Sequence, residues 1–224
     1  MKKYGIICAV IAVVGLLVTF IGLSLLPDTV PVHFGLDGQA NRWGSKYELL
    51  ITPAAALLMG GAFLFAAWKQ DVTKKEGALA RTIFAIAAIF ELVFFFGLTY
   101  WTLYTSGRAA DAAGGPAVDA GALFKCCGVF IGLALIVLGN FMPKARRNAF
   151  YGLRVPWTMD SEAVWQRSQR FAGIAAVAAG ILTVALSLAL PGQWAIVGVI
   201  VVLLMWAALS LVVSWRYHKE AEKA

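Results

Sequence analysis

Six stretches of the chain are apolar on every side, with no polar stripe recurring at helical spacing: residues 4–26, 49–68, 82–104, 121–142, 171–190 and 194–215. At 1.5 Å rise per residue, about 20 such residues cross the hydrocarbon core of a bilayer. Hydrocarbon offers no hydrogen bonds, so each span must satisfy its own backbone, as a helix does. The pattern therefore predicts an all-α fold, a polytopic membrane helical bundle of six transmembrane helices. The last two are separated only by Pro191-Gly192-Gln193, a tight turn between antiparallel neighbours. Lys2 and Lys3 ahead of the first apolar run give it the look of a signal peptide. The run is longer than a signal core, and no small-residue cleavage site precedes Pro27, so it reads as a retained signal anchor.

The polar intervals are unequal. Residues 69–81 and 105–120 read as connectors, the second rich in Ala and Gly. Intervals 27–48 and 143–170 are dense in aromatic, Gly, Pro and polar residues. Residues 1–68 thus form an amino-terminal helix pair with a structured outer loop, 27–48. Residues 69–224 form a four-helix region with a second structured loop, 143–170. In the first loop, residues 29–34 alternate well enough for a short extended segment, and Asp37-Gly38 is a turn signal. Trp43 and Tyr47 are placed for the interface before the second span. In the second loop Pro143 ends the fourth span. Thr158 is then the expected N-cap of a helix with Asp160 and Glu162 in its first turn, carrying Trp165 at the membrane surface and running into the fifth span.

Composition agrees: 61% of the 224 residues are hydrophobic and 14% charged, where a soluble domain has about half and about a quarter. The net charge of +7 is informative through its placement. Fifteen of the 19 Lys and Arg residues fall at the amino end, in 69–81, in 143–170 and in the tail. Three (Arg42, Lys46, Arg108) fall in the alternate loops, and Lys125 lies inside a span. Positive residues stay cytoplasmic, which puts both termini and loop 143–170 in the cytoplasm and loop 27–48 outside. Basic residues that flank spans form no groove, so direct nucleic-acid binding is excluded.

Glu91 and Lys125 are the ionisable residues well inside the spans. Such residues are costly in lipid and face the bundle interior or a partner. Three readings stay open: an intramembrane ion pair, separate solvation with Lys125 snorkelling, or use of the pair by a small transporter or channel. Lys125 shares a helical face with Gly128, Gly132 and Gly139. The fifth span carries Ala172, Ala176 and Gly180, and the second Ala56 and Gly60; these are close-packing seams. Cys8, Cys126 and Cys127 lie in apolar runs, offer no CxxC spacing, and read as small packing residues.

Catalytic and metal chemistry find little footing. His33 and Asp37 could supply two metal ligands, but zinc needs three or four, and His218 is on the other side of the membrane. No HExxH helix, Ser/His/Asp set, phosphate-cradling glycine loop or intramembrane aspartate pair is present. The chain reads as no enzyme, with no cofactor and no metal.

The two dense loops carry a resemblance. LPDTVPVHFGLDGQANRWGSK, with Pro31, His33, Gly38 and Trp43, resembles the amino-terminal domain of the SdpI family. GNFMPKARRNAFYGLRVPWTMDSEAVW is similar to that family's signature, through Gly139, Asn140, Pro143, Lys144, Asn148, Gly152, Arg154, Pro156, Trp157, Thr158 and Trp165. The resemblance implies a bacterial plasma-membrane protein conferring immunity to a secreted antimicrobial peptide toxin. It also implies that a small winged-helix repressor is held at the inner surface. On that basis Pro31, His33, Asp37, Gly38, Asn41, Arg42 and Trp43 are the expected outer ligand-binding residues. Asn140, Pro143, Asn148, Gly152, Arg154, Pro156, Trp157, Thr158 and Trp165 are the expected cytoplasmic partner-binding set.

Overall fold

The structure is a computed structural model and describes residues 2–35, 40–111, 120–148 and 151–223. Helix α1 spans Lys2–Leu25, and strands β1 (Thr29–Phe34) and β2 (Ala40–Ser45) follow it. A 3₁₀ turn, Lys46–Leu50, leads into α2 (Ile51–Trp68). Then come α3 (Lys75–Asp111), α4 (Ala120–Phe141), a second 3₁₀ turn (Met142–Lys144), α5 (Pro156–Asp160), α6 (Glu162–Ala189) and α7 (Gly192–Ala221). Among the described residues, six of these helices are long and apolar enough to cross a membrane. The chain is an all-α polytopic membrane protein with one small β hairpin.

Three local expectations are revised. The third span was expected over 82–104, yet α3 runs for 37 residues, about 56 Å at 1.5 Å per residue. Hydropathy marks where lipid ends, whereas the flanking Ala-rich residues continue the helix into water. The expected connector therefore shrinks to 112–119, which lies outside the described residues. Secondly, β1 has a partner: β2 pairs with it antiparallel, although ANRWGS shows no apolar alternation. The Asp37-Gly38 turn expected between them lies outside the described residues. Thirdly, the helix expected to start at Thr158 and run unbroken into the fifth span is two helices. Ser161, with φ −134° and ψ 134°, is extended and separates α5 from α6.

Packing divides the chain into two compact units: 1–70 with 81–120, and 71–80 with 121–224. Most of α3 thus packs with the amino-terminal helices, whereas the division expected from sequence lay after residue 68. In the first unit, Cys8, Ala56, Ala88, Leu92 and Phe96 form one buried cluster. Leu23, Leu26, Val30, Leu49 and Leu103 form another, which seats the hairpin on the helix ends. In the second unit α4 and α6 meet along their small residues. A Cβ on Gly132 would stand 2.7 Å from the Gly180 carbonyl oxygen, and one on Gly139 2.7 Å from that of Gly173. Lipid gives helices no hydrophobic drive to associate, so backbone approach of this kind supplies the packing. The Trp206 indole donates to the Ala172 carbonyl at 3.0 Å, tying α7 to α6.

Candidate functional site

The outer hairpin starts where α1 ends. Val30 and Pro31 are buried, so β1 is the seated strand. On β2, Asn41, Arg42 and Trp43 are all exposed. Three consecutive exposed residues mean that both faces of β2 meet the surroundings. Two anchors hold the arm. Ser106 Oγ, on the outward extension of α3, donates to the Pro31 carbonyl at 2.7 Å. Lys46 Nζ donates to the Leu26 carbonyl at 3.0 Å and lies 3.2 Å from the Asp28 carboxylate. A cation at the last carbonyls of a helix is favoured by the helix dipole.

Of the expected outer set, His33, Asn41, Arg42 and Trp43 are displayed. His33 Nδ1–H donates to Asn41 Oδ1 (2.6 Å), and Arg42 Nη1 pairs with Glu48 (2.8 Å). Pro31 is fully buried and serves the seat. Asp37 and Gly38 lie outside the described residues. Among the described residues, no three His, Cys, Asp or Glu side chains converge as a metal site would need. The displayed groups are suited to recognition: an indole, a tethered imidazole and a paired guanidinium.

The cytoplasmic loop is built the opposite way, with its motif residues turned inward. Asn148 Nδ2 donates to the Arg146 carbonyl at 2.8 Å, and its Oδ1 accepts the Tyr151 N–H at 3.0 Å. Gly152 has φ +103°, where a side chain is strained, and a Cβ there would lie 2.6 Å from Gln169 Oε1. The buried Gln169 amide fills that space and grips the next residue twice: Leu153 N–H donates to Oε1 at 2.9 Å, and Nε2 donates to the Leu153 carbonyl at 3.0 Å. Thr158 is wholly buried in α5, where its hydroxyl accepts the Val155 N–H (3.2 Å) and donates to the Leu153 carbonyl (2.9 Å). It caps backwards from the third position of a one-turn helix, with Pro156 in the first.

Trp165 departs furthest from expectation. It was placed at the membrane surface among partner-binding residues, but it is fully buried, and its indole donates to the Ala145 carbonyl at 2.7 Å. Trp157 is half-buried: its indole donates to Ser214 Oγ at 2.9 Å and meets the Trp215 ring edge-on at 5.1 Å. Pro143 lies against Gly173, its Cδ 2.7 Å from where a Cβ would be. That leaves Asn140, Arg154 and Pro156 exposed. The end of α7 is clasped as well, with Arg167 4.2 Å from the Tyr217 ring centroid and paired to Glu220 at 2.8 Å.

The two intramembrane charges each belong to one unit. Glu91 is buried against α2; a Cβ on Gly60 would lie 3.0 Å from its Oε2. Neither carboxylate oxygen has a hydrogen-bond partner. Lys125 is half-buried at the start of the α4 face whose glycines meet α6 and α7.

Sequence reasoning missed Lys46, Ser106, Gln169 and Ser214. A lysine a short loop beyond a helix end was a usable signal for Lys46. The other three are ordinary polar residues inside helices, and only the tertiary fold gives them partners.

Comparison with known proteins follows the same two segments. The model of the SdpI/YfhL protein family matches residues 144–214, which hold the cytoplasmic loop, α6 and most of α7. A second model, a domain of unknown function (DUF1648), matches residues 10–57 and so covers the hairpin. Immunity protein SdpI of Bacillus subtilis is 29% identical over 221 residues, 98% of each chain. An uncharacterized protein of Archaeoglobus fulgidus is 61% identical over 31 residues, 14% of this chain and 17% of its own length. No solved structure matches the chain. With a relative aligned from end to end, a family model over the cytoplasmic loop and the two helices after it, and six spans, the chain is a multi-pass bacterial membrane protein similar to the SdpI/YfhL protein family.

Proposed function

We propose that this protein confers immunity to a secreted antimicrobial peptide, meeting the peptide with its outer hairpin. At its inner surface it holds a small winged-helix repressor. The observation that carries the reading is the similarity, over 98% of both chains, to a protein named for immunity. The exposure of His33, Asn41, Arg42 and Trp43 on a seated hairpin supports the outer half of it. The inner half is supported by a loop whose described residues bond to one another and that leaves Arg154 exposed, since arginine favours protein interfaces.

The test is protection. A bacterium killed by secreted peptide is given this chain, and survival is measured against peptide dose. Survival rises with the wild type and falls back with Trp43→Ala or His33→Ala at equal membrane level. Full protection by both variants removes the outer loop from the reading. For the inner half, the repressor remains at the membrane with the wild type and is released by Arg154→Ala; an unchanged distribution ends that half.

One observation favours a second reading, transport through the membrane using Glu91 and Lys125. A buried carboxylate without partners is costly, and in a membrane protein such a residue marks a path for ions or protons. Flux in proteoliposomes that Glu91→Gln abolishes supports transport. Absent flux, with Glu91→Gln changing only thermal stability, assigns Glu91 to packing.

A further inference from the structure

The two edges of the outer hairpin differ, and backbone parity tells which groups each offers. In an antiparallel ladder, residues whose N–H and C=O face the partner strand alternate with residues whose groups face away. Two independent bonds fix the phase. The Lys46 N–H donates to the Asp28 carbonyl at 3.0 Å, so Lys46 faces β1 and Ser45, its neighbour, faces away. On the other strand the Pro31 carbonyl accepts from Ser106, so Pro31 faces away from β2. Trp43, its partner in the register, must then face away from β1. Both arguments agree: the N–H and C=O of Trp43 and Ser45 point to the far side of β2.

The far edge of β1 is closed there. Pro31 has no N–H, its carbonyl is taken by Ser106, and Val30 beside it is buried. The far edge of β2 is open. Trp43 and Ser45 are exposed, and their N–H groups make no backbone hydrogen bond beyond the hairpin among the described residues, while the Ser45 carbonyl opens the 3₁₀ turn. Register shifts leave Val32 and Asn41 without opposite partners; these bulges bend the arm and confine the straight edge to Trp43–Ser45. An unpaired edge is a template for another strand, and proteins blunt it with proline, lysine or bulges. Here the proline is on the closed side, and the open side carries a tryptophan.

We infer that the open edge of β2 takes up an extended segment of peptide by strand addition. The peptide's main chain pairs with Trp43 and Ser45, and an apolar side chain of the peptide packs on the Trp43 indole. Strand addition draws affinity from main-chain bonds and specificity from alternate side chains. A peptide with apolar side chains partitions into the interface, the level at which exposed Trp and Tyr side chains such as Trp43 and Tyr47 reside. The occupant rests on the immunity function proposed above.

Ser45 provides the test, because its φ of −67° already suits proline. Ser45→Pro deletes one outward N–H and no ladder bond. Ser45→Ala loses the same hydroxyl, keeps the N–H and sets the baseline. Survival is measured against the peptide that the wild type resists, at matched membrane levels. Ser45→Pro is expected to lose about tenfold in protection relative to Ser45→Ala, what one main-chain hydrogen bond contributes to affinity. Equal protection by the two overturns strand addition and leaves immunity standing. A wild type that protects against no peptide overturns the immunity reading and this occupant with it. In lipid nanodiscs, that same peptide is expected to slow hydrogen exchange at the Trp43 and Ser45 amides. Slow exchange without peptide that deepens with protein concentration assigns the edge to a second copy of the chain and overturns the proposal.

Discussion

The outer hairpin and the cytoplasmic loop are both dense in motif residues, yet they use them in opposite directions. In the hairpin, a few seat residues (Pro31, Lys46, Ser106) hold the arm, and His33, Asn41, Arg42 and Trp43 are left facing outward. In the cytoplasmic loop the motif residues are consumed by the loop itself: Asn148, Gly152, Thr158 and Trp165 satisfy backbone groups or make room for Gln169. A recurring residue pattern can therefore encode a contact surface in one place and a loop conformation in another. Burial, more than residue type, separates the two.

Substitution of the two tryptophans gives the sharpest break in this contrast. Trp165→Ala opens a buried cavity and leaves the Ala145 carbonyl with only the longer bond from Gln166 Nε2 at 3.3 Å, and is expected to cost about 3–5 kcal/mol. Trp43→Ala is expected to change stability by no more than about 0.5 kcal/mol while removing protection. Denaturant unfolding in mild detergent, set beside the survival assay, reads both, and equal stability losses would erase the distinction. Gln169→Leu comes next: it leaves the Leu153 N–H without its partner and the Leu153 carbonyl with the Thr158 hydroxyl alone, at about 1–3 kcal/mol for the unsatisfied N–H. The same measurement checks it, with faster proteolysis within 146–158 as a local signature.

A smaller effect tests the hairpin's seat. Ser106→Ala removes one buried hydrogen bond, worth about 1 kcal/mol, and should free the hairpin without unfolding the spans. Its readout is faster hydrogen exchange confined to 28–46. The smallest effect is at the displayed ion pair: Arg42→Ala loses about 0.2–1 kcal/mol at most, since exposed pairs contribute little and salt screens them. An Arg42→Ala loss that survives high salt would show that Arg42 packs as well as pairs.

The spans were legible in the sequence because lipid imposes one simple demand, twenty or so apolar residues per crossing. Strand β1 was legible through its alternation. Its partner β2 was not, because a strand exposed on both faces has no buried side to leave a period of two. The ends of α3 were misread for a related reason: polarity at Arg81 and Thr105 signals water, and helices continue into water. Thr158 and Trp165 were recognised as important residues but given the wrong tasks. A side chain that bonds a backbone group 5 or 20 positions away looks the same in sequence as one waiting for a partner. Gln169 left no mark, since glutamine is at home on any helix.

One pairing has a use beyond this chain. The hydrogen atom that serves Gly152 for a side chain and the Gln169 amide occupy a single volume, 17 residues apart in the chain. Neither position can change alone without cost: a larger residue at 152 expels the amide, and a shorter one at 169 leaves the left-handed turn without its clamp. The two positions thus work as a two-letter diagnostic. Relatives that carry both letters are expected to share the shape of the inner loop, and a role inferred from this loop is not expected to transfer to relatives that carry neither.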